Sequence, residues 1–128
     1  MSAPSTRRRF PKSARLLKRA EFRRVYDEGQ RRNGSYFAVF YRPNGLTETR
    51  LGITVPARVG GAVLRNRVKR RLREVFRLNR DRMPQGWDIV MNPRENAGRV
   101  PFRSLEKEVM RLFPAQPPPA STEEPRPR

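Results

Sequence analysis

The side chains of this chain best suited to chemistry are arginines. In "RNRVKRRLREVFR", Arg65 to Arg77, seven residues are Lys or Arg and one, Glu74, is acidic. The chemistry open to such a cluster is electrostatic. Guanidinium groups donate paired N–H groups to phosphate oxygens and stack flat on bases. Asn66, set between Arg65 and Arg67, adds an amide that can read a base edge or bind a phosphodiester. A solvated helix face would balance its charges with i,i+4 partners. Seven bases against one acid cannot do so, and their mutual repulsion calls for a bound polyanion.

Other chemistries are poorly supplied. The chain has no His and no Cys, which removes the usual general base, thiol nucleophile and soft metal ligands. Among its twelve carboxylates, Asp27 and Glu28 are adjacent and Glu106 and Glu108 stand at i,i+2, so neither pair shares a helix face. Glu123 and Glu124 lie in a Pro-rich tail. Nothing resembles an acidic two-metal cluster. The chain on its own reads as a binder, not a hydrolase.

The totals agree. With 128 residues the chain has room for one domain with tails. Its net charge of +18 makes nucleic acid the first candidate partner and an anionic membrane surface the second. The absence of Cys fits a reducing cytoplasm. No apolar run approaches the length of a membrane span, and "RRRFPKSARLLKRA" lacks the apolar segment of a secretory signal. Residues 1–14 read as a basic, disordered N-terminus, 15–113 as a single nucleic-acid-binding domain (RNA-binding, on the resemblance given below) and 114–128 as a low-complexity Pro-rich tail.

The elements that must position these arginines follow from periodicity. A first helix is predicted from about Arg19 to Glu28, with Glu21 in its first turn and Phe22, Val25 and Tyr26 on one face. "NGSYFAVFYRP" reads as a strand entered through an Asn-Gly turn, with Tyr36, Ala38 and Phe40 on one face and Phe37, Val39 and Tyr41 on the other. "TRLGITVP" is a second strand, its Leu51, Ile53 and Val55 facing the core and its Arg50, Gly52 and Thr54 facing away. "PARVGGAV" is a Gly-rich connector into the basic helix, about Ala62 to Arg77. It lacks a nucleotide-cofactor pattern but would let a nucleic-acid backbone approach closely. "WDIVMNP" is a short strand whose Ile89-Val90-Met91 run predicts burial on both faces, and a last helix runs from about Phe102 to Phe113.

On a helical wheel Leu64, Val68, Leu72 and Val75 fall within about 80° of one another and must face the sheet. Asn66, Arg70, Arg73 and Arg77 lie opposite, Arg67 and Lys69 on the shoulders, and Arg65 and Arg71 beside the apolar stripe, where their stems can run along the core edge. If Phe40 shares the Arg50/Gly52/Thr54 face, it forms an aromatic floor with a cationic rim, the kind of platform that holds single-stranded nucleic acid.

An ordered set of segments carries a resemblance. "EFRRVYDEGQRRNGSYFAVFY", "RLGITV", "VGGAVLRNRVKRRLREVFR", "GWDIVMNPR" and "FRSLEKEV", spanning about residues 16 to 113, resemble the bacterial ribonuclease P protein component. The departures are local. Pro56-Ala57-Arg58 stands where the family usually has a small polar and two basic residues, Gly61 where Asn is frequent, and Phe40 where Tyr is common. The resemblance implies an α+β fold: a small, mostly antiparallel sheet of about four strands with three helices and a left-handed βαβ crossover, like the second domain of ribosomal protein S5. It implies the non-catalytic protein subunit of an endoribonuclease, one protein per catalytic RNA, in the cytoplasm and away from any membrane. That enzyme removes the 5′ leader of precursor tRNA. The RNA subunit does the hydrolysis with Mg²⁺, and protein residues alone bind no cofactor. It further implies an RNA-binding helix of Arg65, Asn66, Arg67, Lys69, Arg70, Arg71, Arg73 and Arg77. The leader cleft would hold Phe22, Tyr26, Phe40, Thr54 and Arg58, bordered by Arg65, Asn66 and Lys69. The competing reading is a ribosomal or other structural RNA-binding protein with no role in tRNA processing.

Overall fold

A computed structural model describes residues 12–114. The expectations for residues 1–11 and for the tail beyond Pro114 lie outside the described residues. In chain order the main elements are α1 (Arg19–Glu28), β1 (Gln30–Asn33), β2 (Phe37–Pro43), β3 (Arg50–Ile53), α2 (Ala62–Leu78), β4 (Trp87–Pro93) and α3 (Phe102–Leu112). Short 3-10 turns occupy Lys12–Ala14, Ala57–Val59, Arg80–Arg82 and Glu95–Gly98. The sheet order is β1-β2-β4-β3, antiparallel at β1/β2 and β2/β4 and parallel at β3/β4. The parallel pair is the crossover unit, with α2 as its connecting helix.

The three helices and three of the four strands lie where periodicity puts them. β1 is the exception: its "QRRN" has no apolar residue, and all four positions are exposed. Its strand state comes from pairing with β2, from Gln30 opposite Tyr41 to Asn33 opposite Ala38. The packed unit also starts earlier than residue 15, because Ala14 is fully buried.

One sheet face carries the main core. Phe37, Val39 and Tyr41 of β2, Leu51 of β3 and Ile89 and Met91 of β4 meet Val68, Leu72, Val75 and Phe76 of α2 and Leu105, Val109 and Leu112 of α3. The opposite face holds a smaller cluster of Leu16, Val25 and Val90, with Phe22, Tyr26 and Phe40 packed against it. Both faces of β4 are therefore covered, and Ile89, Val90 and Met91 are 0%, 0% and 1% exposed. Full burial of side chains of this size contributes about 1.5–3 kcal/mol each.

Two local devices set the sheet edge. Gly29 ends α1 with φ −91°, an ordinary extended value, so its need is for space. A Cβ there would sit 2.5 Å from the Val25 carbonyl oxygen and 2.7 Å from that of Tyr41. The buried Glu108 of α3 accepts the backbone N–H groups of Ser35 at 3.0 Å and Tyr36 at 2.7 Å, locking the β1–β2 loop onto the helix.

Candidate nucleic-acid interface

The aromatic floor forms on the α1 side of the sheet. Strand register aligns Arg31, Phe40, Val90 and Gly52 in one row across β1, β2, β4 and β3. The small residue in that row is required: a Cβ on Gly52 would lie 2.6 Å from the Phe22 ring. Tyr26 meets Phe40 edge-to-face, with centroids 4.8 Å apart and planes at 79°. Its hydroxyl donates to Asn92 Oδ1 at 2.9 Å. Phe22, Tyr26 and Phe40 are all half-buried, so each packs on one side and meets solvent on another. Thr54, just beyond β3, is exposed.

An ion-pair network holds α1 over this floor. Arg50 makes a bidentate contact to Asp88, Nε to Oδ1 and Nη2 to Oδ2, both at 2.8 Å, and its Nη1 reaches Glu21 Oε2 at 3.1 Å. Glu21 Oε1 also accepts the backbone N–H groups of Leu17 and Lys18, which the first turn of a helix cannot satisfy internally. Its carboxyl is held below the usual range, chiefly by the Lys18 N–H and further by Leu17 and Arg50. The Arg50 guanidinium is shifted up, chiefly by its hydrogen bond to Asp88.

The second cationic surface is the outward face of α2. Asn66, Lys69, Arg70, Arg73, Glu74 and Arg77 line an open groove of about 350 Å³ together with Arg15. The segment carrying Arg15 runs along the outer edge of β3, bridged to Leu51. Arg73 is exposed as a whole, yet its guanidinium is shifted down by local desolvation against the groove wall and by the charge of Arg15. Like charges crowded in this way are relieved when a polyanion binds.

The structure sorts the arginines of α2 into different duties. Arg67, Arg70 and Arg73 are exposed, and Arg65 and Lys69 are half-buried. Arg65 Nε is shut away from water with no hydrogen-bond partner, so its stem does run along the protein. Arg71 turns inward and donates to the carbonyls of Ala97, at 2.8 Å, and Val100. It pins the loop before α3 to α2, so the surface reading of Arg71 gives way to a structural one. Arg77 pairs with Glu74, which shifts it up. Arg58 is exposed and lines another groove, of about 370 Å³, with Arg94, Glu95, Asn96 and Arg99.

Several residues escaped the sequence reading. Arg15 lies in a segment with no periodicity, Arg31 in a strand without apolar residues, and Asn92 at the end of a strand read only for its apolar run. The alternation of β1 with β2 would have placed Arg31 beside Phe40, had the hairpin been recognised.

Comparison with known proteins agrees with this arrangement. Residues 10–115 match the family model described as Ribonuclease P. The ribonuclease P protein component of Thermotoga maritima is 39% identical over 108 residues, covering 81% of this chain and 92% of that protein. That of Natranaerobius thermophilus is 41% identical over 97 residues, covering 76% and 84%. The solved RNase P protein from Thermotoga maritima superimposes with a TM-score of 0.72 at 38% identity, over 77% of this chain and 94% of that one. The Staphylococcus aureus RNase P protein gives 0.71 at 30% identity, over 79% and 93%. A ribosomal or generic RNA-binding role is not favoured by these relatives. With the sheet order, the cationic α2 and the family match in agreement, the chain belongs to the ribonuclease P protein family.

Proposed function

We propose that the chain serves ribonuclease P with two separate RNA surfaces. The outward face of α2, Asn66, Arg67, Lys69, Arg70 and Arg73, binds the catalytic RNA. The floor of Phe22, Tyr26 and Phe40, with Thr54 at its margin, holds the 5′ leader of precursor tRNA. The complex forms in the cytoplasm with one protein per RNA.

The observation that carries this reading is the sheet face opposite the core. Three aromatics there are packed on one side and open on the other, and they are kept so by a network around Arg50. A face meant only for burial would be covered. Aromatic surfaces beside a cationic groove bind single strands by stacking and backbone attraction, with little reading of sequence. Precursor and mature tRNA differ in the leader, so a leader site raises affinity for the substrate over the product.

Hydrolysis belongs to the RNA in this proposal. Among the described residues no group of three or more His, Cys, Asp or Glu could hold a metal ion. In this proposal the Mg²⁺ ions are assigned to the RNA subunit. The test is cleavage of precursor tRNA by the catalytic RNA at low Mg²⁺, with and without the protein, alongside binding of precursor and mature tRNA to the assembled complex. Protein-dependent cleavage with selectivity for the leader-bearing tRNA is expected. Equal affinity for the two tRNAs would overturn the leader assignment.

A further inference from the structure

β1 carries two adjacent arginines that face opposite ways. Arg32 turns to the core side, over the Tyr41 ring at 5.2 Å, and donates to the Leu112 carbonyl at 3.0 Å at the end of α3. Arg31 turns to the α1 side. It is the direct cross-strand partner of Phe40, and its guanidinium carbon lies 5.3 Å from the Phe40 ring centroid.

The two neighbouring arginines on that sheet face, Arg42 and Arg50, are paired with carboxylates. Arg42 reaches Glu28 at 3.3 Å, and Arg50 reaches Asp88 and Glu21. The hydrogen bond of Arg31 goes to a neutral group, Asn33 Oδ1, at 3.1 Å. The same oxygen lies 3.5 Å from Arg94 Nη2. Two guanidiniums thus converge on one neutral acceptor, and Arg31 is exposed. Among the described residues no carboxylate is paired with Arg31.

The Phe40 ring is already engaged. Tyr26 abuts it edge-to-face and Arg31 lies over it. A base arriving at this end of the floor meets the guanidinium with the ring behind it. A planar cation on an aromatic ring is a good stacking surface for a base and a good partner for the adjoining phosphate.

We propose that Arg31 is a leader-binding residue: its guanidinium, laid on Phe40, stacks on a leader base and pairs with a neighbouring phosphate. This rests on the reading of the aromatic floor as the leader site.

The test uses the full chain assembled with the catalytic RNA. Affinities for precursor and mature tRNA are measured for Arg31→Ala, Arg31→Lys and Phe40→Leu over a range of salt, with circular dichroism of each protein. Arg31→Ala is expected to weaken precursor binding by about five- to tenfold and to leave mature tRNA unchanged. Its salt slope for the precursor should fall by about one phosphate equivalent. Arg31→Lys should keep the slope and regain only part of the affinity, because a lysine restores charge without a stacking plane. If Phe40→Leu loses leader selectivity and Arg31→Ala does not, the leader site stands and the Arg31 proposal falls. If neither variant alters selectivity, the leader site itself is wrong. Equal losses for both tRNAs with Arg31→Ala would make Arg31 a general RNA contact and overturn the proposal.

Discussion

The Tyr26 hydroxyl donates to Asn92 Oδ1 at 2.9 Å, tying α1 to β4 across sixty-six residues of sequence. The bond fixes the plane of a ring set edge-to-face with Phe40, so one contact sets the shape of two aromatics. Tyr26→Phe and Asn92→Ala should each lower stability by about 1 kcal/mol, read from the denaturant midpoint. The double variant should cost less than the two singles summed, and strict additivity would show that the pair is not coupled.

The two RNA surfaces should separate by mutation. Phe40→Ala should weaken binding of precursor tRNA by about 1–3 kcal/mol and leave mature tRNA binding and assembly nearly unchanged. Phe22→Ala should do the same if the protein stays folded, which circular dichroism decides, because its ring also packs on Gly52. Changing Arg70 and Arg73 together should weaken assembly with the catalytic RNA and so affect both tRNAs alike.

Arg71 should behave unlike its neighbours on α2. Its guanidinium is spent on the Ala97 and Val100 carbonyls, so Arg71→Ala should lower thermal stability by about 1–3 kcal/mol. Arg70→Ala should leave the melting temperature almost unmoved, since Arg70 is exposed. Equal melting temperatures for the two variants would contradict the assignment.

Acid should loosen α1. The Glu21 carboxyl is depressed in the folded state, first by the Lys18 N–H. A depressed acid contributes stability above its unfolded value, and that contribution is lost as pH falls through the folded one. Titration from neutral pH downward should therefore lose this contribution below the usual carboxylate range, and Glu21→Gln should flatten that part of the stability curve. Arg50→Ala should cost about 3 kcal/mol at neutral pH, because it takes the cation away from Asp88, which is 2% exposed and would keep a hydrogen bond from Asn44 Nδ2.

Salt should act steeply on assembly. Each phosphate neutralised on structured RNA contributes a slope of about 0.7–0.9 log units per log unit of salt. The groove around Arg15, Lys69, Arg70 and Arg73 predicts several such units for the wild-type chain, and fewer for the Arg70 and Arg73 double variant. A flat dependence in titrations of catalytic RNA would remove the electrostatic account of this face.

Periodicity alone determined much of this protein. Leu64, Val68, Leu72 and Val75 on one side of a helix require the charged residues to face away, because apolar surface is driven from water whatever the fold. The Ile89-Val90-Met91 run likewise required cover on both faces of β4. These are local properties of spacing and residue type, and they needed no tertiary contact to be read.

The duties of individual arginines were decided only in three dimensions. Arg31 and Arg32 are neighbours of identical type, yet strand alternation sends one to Phe40 and the other to the end of α3. Arg70 and Arg71 are also neighbours, yet helical rotation leaves one in solvent and brings the other to two backbone carbonyls. Nothing in the chain near β1 announces a strand, since its pairing energy comes from β2 and its side chains stay exposed. A guanidinium has the same charge wherever it stands. Its partner is set by which acceptors the packed core carries within reach, and those acceptors lie far away in sequence.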